Sequence, residues 1–208
     1  MTEETPVVYV VDDDPSVREA LVRLLRAAGL EVQSFASAVE FLDHDRPDSP
    51  GCLILDIKMP KLSGLDLQDR LAEDDSFLPI IFITGHGTVP TSVRAFKAGA
   101  MDFLEKPFGE GQLLEAVCAA IERHHRLRIE QKEINALLER LDTLTARERE
   151  VFALVVRGML NKQVAYDLGV SEKTIKVHRA RVMSKMGAKS LPDLVHYAEK
   201  IGIRPRES

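Results

Sequence analysis

The sequence predicts an α/β domain built on a five-stranded parallel sheet, followed by a smaller domain made only of helices. Two observations predict the first domain: short apolar runs alternate five times with helical patterns, and several of the runs end in a polar or charged side chain. One observation predicts the second: no strand pattern follows the fifth at 101–105, and from residue 143 onward there are short helical patterns with caps and glycine stops. A chain of 208 residues has room for both.

Five strands and five helices are predicted within residues 1–124. Apolar or alternating runs place the strands at 7–11, 31–35, 52–56, 79–83 and 101–105. Helical stripes surround Leu21, Phe41, Leu67, Phe96 and Val117. Because strand–helix–strand crossovers are right-handed, this alternation covers both faces of a parallel sheet with helices. Five such units fit the flavodoxin-like strand order 2-1-3-4-5.

Polar groups follow the strands that share an edge in this order. They are Asp12 and Asp13, Asp56, Thr84 and Lys106. A lone acid such as Asp56 is explained equally well as a cap for the next turn, but carboxylates that converge repel one another. A divalent cation with a preference for hard oxygen ligands, such as magnesium, resolves that repulsion. The remaining ammonium and hydroxyl suit a phosphoryl group.

These residues carry a family resemblance that covers residues 1–124. The matching elements are Asp12-Asp13, Asp56 before Lys58-Met59-Pro60, Thr84, and Lys106-Pro107. In this order they resemble the receiver domain of two-component response regulators, which has the CheY-like fold. Thr84-Gly85-His86-Gly87 and Lys97-Ala98-Gly99-Ala100 look closest to the FixJ-like branch.

The resemblance implies a phosphoacceptor and a metal site. Asp56 is the expected phosphoacceptor, and the donor is a phosphohistidine on a sensor histidine kinase. Mg²⁺ (or Mn²⁺) is expected to bind Asp13, Asp56 and the backbone carbonyl of Lys58 directly, and Asp12 through water. Asp14, an extra acid beside this pair, receives no ligand role.

The remaining receiver residues have implied roles in the response to phosphorylation. Lys106 supplies a charge to one phosphoryl oxygen, and Thr84 a hydroxyl to another. Phe103 matches the family's switch aromatic, although it is a core residue in any case. The Lys106–Pro107 bond is a candidate for a cis peptide. The hypothesis is that movement of Thr84 and Phe103 biases the helix at 89–98 and strand five toward homodimerisation.

Residues 125–142 form a charged connector with a seven-residue apolar repeat. The repeat positions are Leu113, Ala120, Leu127, Ile134 and Leu141. His124 and Gln131 interrupt the companion positions, so strong constitutive pairing is not expected. The segment is either one long helix or two with a joint near His125. An amphipathic linker that lies on its own domain and a short coiled-coil contact in the phosphorylated dimer both remain open.

Residues 143–208 predict four short helices. Thr145 opens the first with a capping box, Gly158 ends it, and Gly169 ends the second. Ser171 caps the third helix, which runs to about Met186. The second and third helices, joined by residues 168–171, form a helix-turn-helix.

A helical wheel of the third helix separates a core face from a basic face. Ile175, Val182 and Met186 share the core face. Across from them lie Lys173, Lys176, Val177, Ala180, Arg181 and Ser184. A solvated basic face would explain an isolated helix of this kind. In a helix-turn-helix, however, the basic face favours DNA binding, with apolar members placed to touch thymine methyl groups.

This segment resembles the LuxR-type C-terminal domain of the NarL/FixJ family. The matching residues are Leu144-Thr145-Ala146-Arg147-Glu148-Arg149-Glu150, Asn161-Lys162 and Thr174-Ile175-Lys176-Val177-His178. The match implies that Lys176 and Val177 reach base edges, whereas Ala180 replaces a lysine of relatives. Phosphate contacts are expected from Asn161, Lys162, Thr174 and Arg179, and Lys173 and Arg181 complete the DNA-binding set. Double-stranded DNA and RNA polymerase are the implied partners, and the fourth helix is the implied dimer contact.

Charge and composition agree with a two-part regulator. Residues 1–124 hold 11 Lys and Arg against 22 Asp and Glu, net −11, whereas residues 125–208 hold 17 against 11, net +6. Cys52 and Cys118 lie in apolar segments and are predicted to be reduced core residues. Without a signal peptide or a membrane-length apolar run, the chain is expected to be cytoplasmic and to have no membrane partner.

Three functions are therefore compared. The first is a phosphorylation-dependent transcription regulator, expected to activate its target genes and to have no enzymatic turnover beyond its own phosphorylation and dephosphorylation. The second is a haloacid-dehalogenase-like phosphatase, which Asp12-x-Asp14 resembles, although the further acidic pair of that family is missing. The third is a receiver that acts through protein contacts only. Steady phosphomonoester turnover and salt-dependent DNA binding distinguish them.

Overall fold

The computed structural model describes residues 5–74, 76–85 and 89–203 of the chain. It divides into two compact units, Met1–Arg128 and Ile129–Ser208, and each is described by itself. The strands of the first unit are β1 (Val7–Val11), β2 (Glu31–Phe35), β3 (Gly51–Asp56), β4 (Ile80–Thr84) and β5 (Asp102–Glu105). Residues 86–88 lie outside the described residues, and they include the last two residues of the Thr84-Gly85-His86-Gly87 motif.

The five strands form one parallel sheet in the order β2-β1-β3-β4-β5, which confirms the predicted order. Val11 pairs with Leu55, so β1 and β3 end side by side. The observed strand starts differ from the predicted ones by one residue at β3, β4 and β5. At β4 the reason is chemical: Pro79 has no N–H, and only its carbonyl joins the sheet, accepting from the Leu53 amide at 2.9 Å.

Helices cover both faces of the sheet. They are α1 (Pro15–Ala27), α2 (Ala38–Leu42), α3 (Gly64–Glu73), α4 (Val89–Lys97) and α5 (Glu110–Asp142). Because strand side chains alternate, Leu55 and Phe82 enter one apolar cluster with Phe41, whereas Ile54 enters the other with Leu113. Strands β1, β3 and β4 are therefore buried on both faces, as their continuous apolar runs predicted.

Helix α5 continues without a joint through His125 and contains the whole of the predicted connector. His124 breaks the apolar pattern because its buried ring is bonded: Nδ1 accepts from the Gly51 amide at 2.9 Å. The prediction that both cysteines lie in the core was wrong for Cys118, which is exposed, whereas Cys52 is buried. Cys118 follows Val117 on the helix, and the 100° step turns it away from the core stripe.

The second unit contains four helices after the end of α5. They are α6 (Ala146–Val155), α7 (Asn161–Asp167), α8 (Glu172–Met186) and α9 (Leu191–Lys200). Thr145, Ser171 and Ser190 cap three of them with side-chain hydrogen bonds. Gly169, with φ of +64°, makes the turn between α7 and α8. The predicted all-helical second domain with a helix-turn-helix is therefore confirmed.

Candidate functional site

Two buried acids and one lysine meet at the carboxyl edge of the sheet. Asp12 directly follows β1, Asp56 ends β3, and Lys106 directly follows β5. The Nζ of Lys106 donates to Asp12 Oδ2 and to Asp56 Oδ1, both at 2.8 Å. Asp12 and Asp56 are buried, whereas about a quarter of the Lys106 side chain is exposed. The site is therefore a charged cluster that opens to solvent beside its lysine.

Backbone amides orient both carboxylates. The Lys58 N–H donates to Asp56 Oδ2 at 2.7 Å, and the Asp14 N–H donates to Asp12 Oδ1 at 2.9 Å. Each acid thus has one oxygen on a backbone amide and the other on the Lys106 ammonium. The sequence did not predict these two hydrogen bonds, because every residue except proline has a backbone amide and its residue type does not show which amides will donate. The side chain of Asp14 accepts from the Ser16 amide and caps α1.

The cluster carries more negative than positive charge, because one ammonium serves two carboxylates. Burial raises the pKa of Asp56, and the neighbouring Asp12 carboxylate raises it further, while Lys106 opposes the rise. Burial opposes the charged form of Lys106, but its bonds to Asp12 and Asp56 prevail and raise the pKa of the ammonium. Lys106 is therefore held positive, and Asp56 is an unusually basic carboxylate.

The donor chemistry of this cluster fits a hard divalent cation. Two oriented carboxylates with surplus negative charge lie beside Asp13, whose side chain is exposed at the same strand end. Within residues 5–74, 76–85 and 89–203, no group of three or more His, Cys, Asp or Glu side chains is gathered as metal ligands. The predicted set of Asp12, Asp13, Asp56 and the Lys58 carbonyl therefore stays a prediction.

The other predicted receiver residues lie on the two neighbouring strands β4 and β5 and directly after β5. Thr84 is buried at the end of β4, and its carbonyl accepts from the Lys106 amide at 2.7 Å. Phe103 on β5 is half-buried and packs against the apolar cluster on the α3 side of the sheet. The Lys106–Pro107 peptide bond is cis.

The second unit presents a basic face on α8. Ile175, Val182 and Met186 are buried, as the helical wheel predicted. The six residues predicted on the opposite arc are all exposed: Lys173, Lys176, Val177, Ala180, Arg181 and Ser184. Val177 is 47% exposed, which leaves an apolar side chain among cations on the outer surface. An arc of this composition is suited to a DNA groove.

Several candidate DNA contacts are held by neighbours. Arg179 is half-buried, and its Nη1 donates to Asn161 Oδ1 at 3.0 Å, which joins α8 to the start of α7. Thr174 is bonded to the capping Ser171, and Lys176 pairs with Glu172 at 3.3 Å. Lys162 is exposed. The Asn161–Arg179 bond was missed from sequence, because it depends on how two helices pack.

A second lysine–acid pair lies away from the basic arc. Lys185 Nζ donates to the buried Glu148 Oε2 at 2.6 Å and to the Thr143 carbonyl at 2.9 Å. Glu148 also closes the capping box of α6. The Lys185 bond and the Thr145 amide lower the pKa of Glu148 from 4.5 to about 2. The pair ties the start of α6 to the end of α8.

Comparison with known families agrees with both units. Residues 8–118 match the response regulator receiver domain, and residues 142–198 match the bacterial regulatory proteins of the luxR family. The chain belongs to the NarL/FixJ-type response regulators, in which a receiver domain is joined to a LuxR-type DNA-binding domain. It is therefore a transcriptional regulator.

Known relatives match over nearly the whole chain. Nodulation protein W of Bradyrhizobium diazoefficiens is 50% identical over 95% of this chain and 87% of its own length. Response regulator protein TodT of Pseudomonas putida is 46% identical over 97% of this chain and 88% of its own length. Transcriptional regulatory protein FixJ of Rhizobium meliloti is 43% identical over 99% of this chain and 100% of its own length.

Solved structures give the same result. The response regulator StyR is 47% identical over 94% of this chain and 99% of its own, with a TM-score of 0.82. Full-length FixJ from B. japonicum is 39% identical over 98% of this chain and 100% of its own, with a TM-score of 0.58. In the part of the chain that the structure describes, no helix has both the length and the hydropathy needed to cross a membrane.

Proposed function

We propose that Asp56 receives a phosphoryl group from a phosphohistidine of a sensor kinase, and that the phosphorylated chain self-associates and binds its DNA sites to regulate transcription. The observation that carries the proposal is the convergence of Lys106 on Asp56 and Asp12 at the open edge of the sheet. A carboxylate at a solvent-open edge, whose pKa is raised by burial and which has a specific ammonium partner, is a candidate functional group and not an ordinary core residue.

The transfer step follows from the geometry of the cluster. An oxygen of Asp56 attacks phosphorus, and the phosphorus–nitrogen bond of the phosphohistidine breaks as the new phosphorus–oxygen bond forms. The histidine nitrogen keeps the electron pair of the broken bond. The Lys58 amide holds one Asp56 oxygen in place, and Lys106, which stays bonded to Asp12, can turn its ammonium to a phosphoryl oxygen.

Magnesium is the expected cofactor of this step. Asp13, Asp56 and the Lys58 carbonyl would hold the ion directly, with Asp12 behind a water. When bound, Mg²⁺ offsets the charge of the phosphoryl oxygens. The exposed Asp13 and the surplus charge of the buried pair support this assignment.

The phosphorylated state is expected to act through α4. The hydroxyl of Thr84 would move to a phosphoryl oxygen and Phe103 into the space it leaves. Helix α4 exposes three apolar side chains, Val89, Val93 and Phe96. Apolar side chains that share one helix and remain exposed are suited to a contact with a second copy of the chain.

DNA binding by α8 is expected to depend on salt and on symmetry. Lys176 and Val177 would face base edges, and Lys162, Thr174 and the Asn161–Arg179 pair would face phosphates. Two α8 helices in a dimer favour a two-fold symmetric site. Contact with RNA polymerase and action in the cytoplasm, where DNA and polymerase are found, belong to the same proposal.

We further propose that the chain has no turnover of external phosphomonoesters. In the alternative phosphatase reading, Asp14 would act beside Asp12. Its side chain instead caps α1 through the Ser16 amide, which supports a regulator over an enzyme. Turnover of a general phosphomonoester that is lost on Asp12→Asn but kept on Asp56→Asn would contradict the proposal.

The experiment is to treat the full chain with acetyl phosphate and Mg²⁺, and to measure its mass in solution and its retardation of promoter DNA. We expect a dimer and tighter DNA binding in the natural chain, and neither in Asp56→Asn. An Asp56→Asn chain that still responds to acetyl phosphate would refute Asp56 as the acceptor. DNA binding that does not weaken with salt would refute the assigned role of α8.

A further inference from the structure

Helix α4 is attached to its unit by few contacts. Ala95 is its one buried residue among those described, and a methyl group gives little apolar anchoring. The exposed side chains include Val93 and Phe96. On the α3 side, Arg94 pairs with Asp69 at 2.9 Å, but both side chains are more than half exposed, so this pair contributes little.

A buried glutamine of α3 supplies the strong attachment. Gln68 is 3% exposed, and its Nε2 donates to the carbonyl oxygens of Ala95 and Ala98, both at 3.1 Å. The Ala98 carbonyl follows the last turn of α4, where helices leave carbonyls without an intrahelical partner, whereas the Ala95 carbonyl also accepts from the Ala100 amide at 3.0 Å. Both amide hydrogens of Gln68 are therefore used to hold the end of α4.

The same glutamine has an unsatisfied atom. Its Oε1 is buried and has no hydrogen-bond partner among the described residues. Burying a polar atom without a partner is unfavourable, and a Leu or Met would fill the space without that cost. A glutamine is needed here only if its two donor bonds matter.

We infer that Gln68 is a latch that holds α4 in the unphosphorylated arrangement and so limits self-association until Asp56 is phosphorylated. The inference rests on the proposed function of α4. The two bonds stabilise the arrangement in which Lys106 is still bonded to Asp56. Any arrangement that moves the end of α4 away from α3 loses them, so removing the amide shifts the population toward the moved state.

The test compares Gln68→Met, Gln68→Glu and the natural full chain without acetyl phosphate. Met keeps the length of the side chain and removes both the donors and the unsatisfied oxygen, so folding is expected to be retained. We expect self-association at least about fivefold tighter in Gln68→Met, from the loss of two neutral hydrogen bonds. Self-association of Gln68→Glu should be tighter still, because a carboxylate would face the carbonyl oxygens of Ala95 and Ala98 and repel the end of α4.

Two controls separate this latch from general loosening and from the proposed function itself. Asp69→Asn, on α3, breaks the exposed α3–α4 ion pair without changing α4 and should leave self-association unchanged. Asp56→Asn combined with Gln68→Met should keep the tighter association, since the latch acts without phosphate. Faster hydrogen exchange at the amides of Ala98 and Ala100, in Gln68→Met but not Asp69→Asn, is the second readout.

Each outcome decides the question. Unchanged or weaker self-association in both Gln68 variants, with the natural chain still responding to acetyl phosphate, overturns the latch and leaves the proposed function intact. Failure of the natural chain to respond to acetyl phosphate overturns the proposed function instead. A lower melting temperature without any change in self-association assigns Gln68 a structural role only.

Discussion

Each unit of the chain contains a lysine bonded to a buried acid, but the two pairs have different charge balances. Lys106 is shared by Asp12 and Asp56 at the edge of the sheet, so the cluster keeps a surplus negative charge. Lys185 has one acidic partner, Glu148, and a neutral carbonyl. The pKa of Asp56 is raised by burial, whereas the pKa of Glu148 is lowered to about 2, chiefly by its bond to Lys185.

The comparison separates a reactive site from a structural one. A balanced pair with satisfied hydrogen bonds fixes two helices and has no affinity for another charge. An unbalanced cluster that is open to solvent favours an added cation and a basic, nucleophilic carboxylate. The direction of the pKa shift, and not the presence of an ion pair, is therefore the feature that distinguishes Asp56 from Glu148.

The largest expected effect follows from removing Lys106. In Lys106→Met, two buried carboxylates lose their shared ammonium, so the pKa of Asp56 should rise further. The response to acetyl phosphate should fall by at least about tenfold, because a charge-assisted bond to the phosphoryl group is lost. Carboxyl ¹³C shifts followed against pH, together with mass in solution, check both expectations.

Lys185→Met is the matched control for this variant. It should lower hydrogen-exchange protection in α6 and α8 and leave the titration of Asp56 unchanged, because Lys185 donates to Glu148 and Thr143, which both belong to the second unit. A Lys106→Met chain with a normal response to acetyl phosphate would remove the functional difference between the two pairs.

Sequence reasoning reached the sheet order and the residues at its edge because both follow from local patterns. Strand ends place Asp12, Asp56 and Lys106 at one edge once the order is known. The 100° step of a helix likewise predicted the buried face of α8. The bonds of Gln68 to α4 and of Lys185 to Glu148 were beyond reach, because contacts between helices depend on packing distances that no local pattern encodes. The exposure of Cys118 was within reach of the same 100° step, but it was predicted wrongly.

The next effect concerns acid stability of the second unit. Because the folded pKa of Glu148 lies below its ordinary value of 4.5, its contribution to stability is fully present above pH 4.5 and is lost as pH falls toward about 2. Exchange protection of α6 and α8 should fall through this window in the natural chain. In Glu148→Gln, the exchange protection of α6 and α8 should be lower at pH 7 and should decrease less as the pH falls.

The control for the acid window is Asp69→Asn, which changes an exposed acid in the first unit and should leave the protection of α6 and α8 unaltered. Equal pH dependence in the natural chain and in Glu148→Gln would show that other carboxylates account for the acid sensitivity, and the Glu148–Lys185 pair would lose its assigned structural role.

A smaller effect distinguishes base readout from phosphate contact on the basic face. Lys176→Ala should weaken binding to the specific site by about 1–3 kcal/mol and relax sequence preference. Lys162→Ala should weaken binding to all sequences and lower the salt slope by about one. Competition gel shifts at several salt concentrations measure both. Equal losses on every sequence for Lys176→Ala would reassign it to the phosphate backbone.

The smallest effect concerns the bond between Asn161 and Arg179. If Asn161 orients Arg179 toward a phosphate, the two residues act as one unit, and their losses should not add. A double-mutant cycle of Asn161→Ala and Arg179→Ala should give a coupling of about 0.5–1.5 kcal/mol in DNA affinity, the range of one hydrogen bond. Lys162→Ala paired with Arg179→Ala is the control, because the Arg179 side chain is bonded to Asn161 and Lys162 is exposed. Additive losses in the first cycle would make Asn161 and Arg179 independent phosphate contacts, as separate as the exposed cations around them.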